Sequence, residues 1–116
     1  MRGRSRIRSV TILLVLTTLP DRAAAELLAR ELVEERLAAC VNILAPCRSV
    51  YRWQGTVELA DEVPLLIKTS DARYPALEAA IRARHPYALP EVVALPLTRG
   101  LPEYFAWVAS ETTPCS

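Results

Sequence analysis

The stretch SVYRWQGTVELADEVPLLIKTS, residues 49–70, decides the fold of this chain. Gly55 separates two runs rich in β-branched and aromatic residues, so Val50–Trp53 and Thr56–Thr69 are predicted to form a β-hairpin. The second arm is about twice as long as a typical strand of ~5–6 residues. Pro64 within it predicts an edge position or a bulge. An arm this long would project beyond the core of a small domain, and its exposed edges favour pairing with another chain.

The residues before the hairpin predict a strand, a helix and a second strand. The run SVTILLVLT is continuously apolar, which is typical of a central strand buried on both faces. TLPDRAAAELLARELVEERL then changes to helical periodicity. Thr18 with Asp21 resembles a capping box, and Pro20 fits the first helical turn. AACVNIL returns to strand character, and Pro46 is predicted to bend or break that strand before RSVYRW.

The residues after the hairpin predict a helix, a strand and a short final helix. SDARYPALEAAIRARH forms the first of these, and Pro86 ends it because proline lacks the amide that would continue the helix. PEVVALPLT follows as a strand and LPEYFAWVASE as a helix. The order β-α-β-β-α-β-α predicts an α+β, ferredoxin-like split β-α-β fold with a long β-hairpin and an extra C-terminal helix. In that fold the sheet is antiparallel and both long helices lie on one face.

Length and composition predict a single domain over residues 10–111, with a C-terminal tail over 112–116. The 116 residues, 52% hydrophobic and 23% charged, are sufficient for one core but not for two. A net charge of +1 provides no field that would attract nucleic acid. No segment approaches the ~20 apolar residues of a membrane span, so we predict neither a nucleic-acid nor a membrane partner.

Residues 1–9 contain four arginines and are predicted to form a basic, poorly ordered N-terminal tail. A targeting segment is the alternative, because these arginines, the apolar run after them and the alanines at 23–25 imitate a signal peptide. We favour a cytoplasmic protein, because the apolar run suits a buried strand. Cleavage after Ala25 would also start the mature chain inside an amphipathic helix.

The three cysteines do not predict a disulfide framework or a zinc site. Cys40, Cys47 and Cys115 are odd in number and have no CxxC spacing. Cys40 is interpreted as a small core residue. Proximity in the sequence alone would allow a Cys40–Cys47 bridge.

The only histidine, His85, lies in the stretch RARHPYALPEVVALP at the end of the second helix. Three roles are open for it: a metal ligand, a catalytic base, or a residue that stabilises the helix terminus. The prolines on either side of Tyr87 restrict the chain as it leaves the helix. We therefore expect His85, Tyr87 and Glu91 to be presented together at one surface.

Several blocks of sequence together resemble the CutA family, the divalent-cation-tolerance proteins. The blocks are ELVEERLAACVNIL, SVYRWQG, DEVPLLIKT, HPYALPEVVALP and YFAWV, in this order between about Val10 and Ser110. The resemblance implies a ferredoxin-like fold assembled as a tight homotrimer, with long hairpins that pair between subunits and a shape similar to PII signalling proteins. It also implies a role in divalent metal tolerance.

The resemblance places eight residues near clefts between subunits: Tyr51, Trp53, Glu62, Lys68, His85, Pro86, Tyr87 and Glu91. Tyr51, Trp53, Lys68 and Tyr87 are expected to bind a ligand in an inter-subunit cleft. His85, Glu91 and Glu62 are expected to bind copper(II) or another divalent cation, shared between subunits because one chain has too few donors. Ala88 stands where many family members have an acidic or amide residue, which removes one oxygen donor.

Two other classes of function were weighed against this one. An enzyme is not predicted, because there is no GxSxG motif and no nucleophile–histidine–carboxylate spacing. The alternative function is a PII-like signalling or binding module for a small anionic ligand or a partner protein, with positive charge from Lys68, Arg84 and Arg99. No cofactor is required in either case. A purely structural role would make Trp53 and Tyr87 core or interface fillers, and Glu62 with Lys68 a solvated ion pair.

Overall fold

The computed structural model describes residues 10–114, so the predicted basic tail and residues 115–116 lie outside the described part. The strands in it are β1 (Ile12–Leu19), β2 (Cys40–Ile43), β3 (Cys47–Trp53), β4 (Thr56–Ser70) and β5 (Val93–Leu97). The helices are α1 (Arg22–Glu34), α2 (Tyr74–Arg84) and α3 (Pro102–Glu111), with a 3₁₀ turn over Asp71–Arg73 before α2. The predicted α+β class and order of elements are confirmed. None of the helices between residues 10 and 114 is long and apolar enough to cross a membrane.

β1 is the central strand of an antiparallel sheet. Its whole length pairs with β4, with Ile12 opposite Ser70, and its first five residues pair with β5, with Ile12 opposite Leu97. β2 pairs with the other edge of β4, so the strand order is β2-β4-β1-β5. β1 therefore has strands on both edges, as predicted for a central strand. The predicted burial on both faces is incomplete in the single chain, because Leu14 and Leu16 are only half-buried.

α1 and α2 contribute to one buried core against the sheet. That core includes Leu13, Val15, Leu19, Leu28, Leu32, Val63, Leu65, Ile67, Leu77 and Ile81. α1 begins after Asp21, whose carboxylate accepts the backbone N–H of Ala24 at 2.8 Å. The predicted capping box with Thr18 is wrong, because Thr18 is still paired with β4 inside β1 and Pro20 precedes the helix.

α3 packs on a smaller cluster formed by Ile12, Ala39 and Val108. Gly100 allows the turn into this helix, because a Cβ atom there would lie 2.4 Å from the ring of Phe105. Beyond the helix, the buried hydroxyl of Thr112 donates to the Val108 carbonyl at 2.8 Å. Residues 112–113, assigned to the C-terminal tail from sequence, thus contact the domain.

The strand break predicted at Pro46 is confirmed. β2 and β3 both pair with β4, but the register changes by one residue between them. Residues 44–46 therefore face two residues of β4, and Leu44 donates its N–H to the Pro64 carbonyl at 3.0 Å. Pro64 lies at this bulge-like irregularity, which is one of the two positions predicted for it.

The long hairpin is also confirmed. β4 has 15 residues, and Gln54 and Gly55 connect it to β3 with φ angles of 50° and 82°. Two successive positive φ values are typical of a type I′ turn. β3 and the first seven residues of β4 form a two-stranded ribbon, residues 47–62, that extends from the sheet; the molecule measures 57 × 27 × 23 Å. Cys40 and Cys47, at the start of β2 and of the ribbon, are free thiols.

Candidate functional site

An open cleft of about 770 Å³ lies where the ribbon meets the segment that follows α2. The lining residues come from the end of β1, from β3, from β4 and from the segment after Pro86. They are Thr18, Ser49, Val50, Tyr51, Arg52, Trp53, Glu62, Tyr87, Ala88, Leu89, Pro90 and Glu91. Five of the residues predicted for the site therefore reach one cleft within a single chain: Tyr51, Trp53, Glu62, Tyr87 and Glu91.

His85 does not line this cleft, but its imidazole is hydrogen-bonded to the backbone of Tyr87, which does. His85 ends α2, its backbone N–H donates to the Ile81 carbonyl at 2.8 Å, and its side chain is only 8% exposed. The backbone N–H of Tyr87 donates to Nδ1 at 3.1 Å, so Nδ1 carries no hydrogen. Nε2 then carries the hydrogen and donates to the Thr18 carbonyl at 2.6 Å. The imidazole is a neutral link between β1, the end of α2 and Tyr87.

Tyr87 connects that link to the ribbon. Its hydroxyl donates to Oε2 of Glu62 at 2.9 Å, and its ring lies 4.7 Å from the imidazole of His85, centroid to centroid. Burial is the largest of the causes that together raise the pKa of the Tyr87 phenol to about 12, and the hydrogen bond and negative charge of Glu62 contribute to the same rise. Asp21 and Tyr51 raise this pKa as well, so both lie near the phenol. The phenol remains a hydrogen-bond donor throughout the physiological range.

Glu62 is buried at the base of the ribbon. Its side chain is 8% exposed and lies one strand across from Cys47. The sequence had suggested a solvated pair between Glu62 and Lys68, and this interpretation is wrong. The two residues are six positions apart on one strand, about 20 Å at the usual rise per residue. Lys68 instead donates a hydrogen bond to Oδ1 of Asn42 on β2.

The positive charges expected for an anionic ligand lie away from the cleft. Lys68 is on the sheet, and Arg84 donates to both carboxylate oxygens of Glu35 at 2.8 and 2.9 Å. Arg99 does not line the cleft either. The cation that does line it is Arg52, which no sequence argument had selected.

The donors in one chain do not fit a metal ion. Across residues 10–114, no three His, Cys, Asp or Glu side chains come together. His85 has no free lone pair, because Nδ1 accepts from Tyr87 and Nε2 carries a hydrogen. Glu62 and Glu91 both line the cleft, but two carboxylates do not complete a first coordination sphere.

Several residues of the site escaped the sequence prediction. The Thr18 carbonyl holds His85, and Ser49 and Leu89 line the cleft. Thr18 is separated from His85 by 67 positions, so no local pattern connects them. The one local signal was the HPY block, in which the amide two residues after the histidine can reach its ring.

A family model described as CutA1 divalent ion tolerance protein matches residues 13–111. The chain belongs to this family. The divalent-cation tolerance protein CutA of Thermus thermophilus is 48% identical over 98 residues, which are 84% of this chain and 95% of that relative. Protein CutA of Mus musculus is 43% identical over 99 residues, or 85% of this chain. The chain spans about half the length of the mouse relative, since the match covers 56% of it.

Solved structures of CutA proteins have the same fold. The divalent cation tolerance protein of Thermus thermophilus superposes with a TM-score of 0.86 at 46% identity, covering 88% of this chain and 99% of that one. CutA1 from Oryza sativa superposes with a TM-score of 0.87 at 39% identity, covering 90% and 96%. The CutA resemblance inferred from five sequence blocks is thus confirmed, and this chain is a CutA-family divalent-cation tolerance protein by sequence and by fold.

Proposed function

We propose that this chain acts in divalent-cation tolerance as a homotrimer whose ribbons pair between copies. The observation that carries the proposal is the ribbon itself. Its side chains Val50, Val57 and Leu59 are 64%, 56% and 61% exposed in the single chain, and Val50 lies directly opposite Leu59. An apolar strip of this kind on an open two-stranded ribbon is unstable in water unless another surface covers it.

The face of the sheet opposite the core formed with α1 and α2 also has exposed apolar side chains, which favour assembly. On β1, Leu16 lies between Leu66 of β4 and Val93 of β5, and Leu14 lies beside Leu95. Val93 and Leu95 lie at the ends of these apolar rows, on the edge strand β5, and are 49% and 62% exposed. A second copy seated here would remove this surface from water, at a gain of about 25 cal/mol per Å².

The ferredoxin-like arrangement belongs to this proposal. It is supported by the strand order β2-β4-β1-β5, with every pair antiparallel, and by the shared core of α1 and α2. α3 lies with the smaller cluster, apart from those two helices.

Divalent-cation binding at clefts between copies stays a prediction that needs more than one chain. Glu62 and Glu91 would contribute carboxylates, and donors from a neighbouring copy would have to complete the coordination. Isothermal titration of the assembled protein with copper(II) tests it. His85→Ala should change copper binding if the imidazole turns to become a ligand, and unchanged binding would remove His85 from the metal set.

The proposed role is non-enzymatic and cytoplasmic. The non-enzymatic part is supported by His85, because an imidazole with both nitrogens committed to backbone groups has no lone pair for a substrate proton. The cytoplasmic location is inferred from the sequence, because the apolar run that could imitate a signal peptide was interpreted as a buried strand.

Sedimentation velocity and light scattering at micromolar concentration test the assembly. The wild-type chain should have the mass of a trimer. The double variant Val50→Ser, Leu59→Ser should dissociate, because both changes lie in one cross-strand pair of the apolar strip. Leu27→Ser is the matched control, since Leu27 is 60% exposed on α1 and outside the ribbon. A monodisperse, folded wild-type monomer would overturn the proposal.

A further inference from the structure

Glu62 is a buried carboxylate that has no positively charged partner among residues 10–114. The residue is only 8% exposed and lines the cleft. Oε2 accepts the Tyr87 hydroxyl, and between residues 10 and 114 no lysine or arginine lies within ion-pair distance of the carboxylate. Burial removes part of the hydration of this carboxylate, and the Tyr87 hydroxyl replaces it at one oxygen. A cation entering the cleft would supply the opposite charge that the carboxylate lacks.

The rest of the wall matches an organic cation. Tyr51, Trp53 and Tyr87 all line the cleft, and aromatic faces attract cations through their quadrupole. Thr18 and Ser49 line it too, and each has a hydroxyl group that can accept a hydrogen bond. An ammonium group has three N–H donors, so one buried carboxylate and nearby hydroxyl oxygens suit it.

The same wall is poorly matched to the other two ligand classes. A metal ion would find two carboxylates and no free imidazole nitrogen. An anion would meet the charges of Glu62 and Glu91, and the one lining cation, Arg52, is on an exposed part of the ribbon. The volume of about 770 Å³ is also far larger than one metal ion needs.

We propose that the cleft binds a primary organic ammonium ion with an aromatic or aliphatic body. Glu62 accepts the ammonium hydrogen bonds, and Tyr87 holds the Glu62 carboxylate in place. Tyr51 and Trp53 cover the apolar part of the ligand. This inference goes beyond the tolerance role and does not require a metal.

Isothermal titration with three molecules of one shape tests the inference. 2-Phenylethylammonium should bind with a dissociation constant below about 1 mM. 2-Phenylethanol, which lacks the charge, should bind at least about tenfold more weakly, and phenylacetate should not bind. Glu62→Gln should weaken ammonium binding by about tenfold or more, because the amide retains the shape but removes the charge.

Glu58→Gln is the matched control. Glu58 lies four residues earlier on the same strand, is half-buried and does not line the cleft, so this variant should bind like the wild type. If Glu62→Gln fails to fold by circular dichroism, Glu62→Asp replaces it. Aspartate retains the charge, so the preference for the ammonium ion over the alcohol should persist at lower affinity.

Three outcomes would overturn the inference. They are equal binding of the alcohol and the ammonium ion, tighter binding of phenylacetate, and no heat from the ammonium ion at millimolar concentration. Light scattering measures the molar mass of each titrated sample. A variant that no longer binds the ligand but keeps the mass of a trimer is thereby distinguished from one that has dissociated.

Discussion

The two halves of β4 have the same alternating sequence and opposite environments. In the second half, Val63, Leu65 and Ile67 are 3%, 0% and 0% exposed. In the first half, Val57 and Leu59 occupy the same phase of the alternation and are 56% and 61% exposed. The periodicity of a strand therefore determines which residues share a face, whereas the neighbouring elements determine whether that face is buried.

The difference arises from what lies beside and above each half. The second half pairs with β1 on one edge and β2 on the other, and the helices α1 and α2 complete its core. The first half pairs with β3 alone. Glu62 marks the junction between the halves, and its hydrogen bond from Tyr87 fastens the ribbon to the segment after α2. The second half stabilises the domain, and the first half is expected to stabilise the assembly.

The largest effect is expected from a deletion in the buried half. Ile67→Ala should lower the free energy of unfolding by about 2–5 kcal/mol, because it removes a fully buried side chain and leaves a cavity. Urea denaturation followed by circular dichroism measures it. The loss should be the same across a roughly hundredfold range of protein concentration.

Leu59→Ala in the exposed half sharpens this contrast. If the ribbon serves assembly, the loss for Leu59→Ala should be small in dilute protein and should grow with concentration, because it acts on the bound copies. Equal, concentration-independent losses for both variants would mean that the two halves contribute to the same monomer core.

A smaller effect is expected at the turn of the ribbon. Gly55→Ala should cost about 1–2 kcal/mol, because Gly55 has a φ of 82° and alanine is strained in the left-handed region. No atom lies within 4 Å of the added Cβ, so backbone strain accounts for the whole effect. Hydrogen exchange of the ribbon amides measures the loss of protection.

Gln54→Asn is the opposite test, since Asn-Gly is preferred in type I′ turns and should increase protection. Faster exchange in both variants would contradict the assigned turn.

The smallest effect is the pH dependence of the junction between the halves. Folding raises the pKa of Tyr87 from 10.0 to about 12, so its contribution to stability is complete below pH 10 and is lost as the pH rises through 12. Melting temperatures from neutral pH to pH 12 should show an extra loss in the wild type that Tyr87→Phe lacks. Tyr74 and Tyr104, whose pKa values burial also raises, contribute equally to both proteins. Parallel curves would exclude an effect of the Tyr87 phenol.

The candidate site could be predicted only in part. HPY and the ribbon aromatics pointed to residues that the fold brings together, because Tyr51, Trp53 and Tyr87 line one cleft. Lys68 does not line that cleft, because strand spacing places it about 20 Å from Glu62 on the same strand. A place for Lys68 in a cleft between subunits stays a prediction. Glu62 was recognised as a candidate, but the hydroxyl that donates to it belongs to Tyr87, which is 25 residues later in the chain.

The sequence by itself determined the elements of this protein, from the buried run of β1 to the overlong arm of β4, because periodicity and turn residues act over short distances. It also determined the family, since five blocks in order are specific. Only the tertiary structure decided that His85 is a neutral link to Thr18 and that Glu62 is buried with no lysine or arginine of residues 10–114 beside it. Those properties depend on contacts between residues that are far apart in the sequence, because such contacts determine which groups are hydrogen-bonded and which lose their hydration.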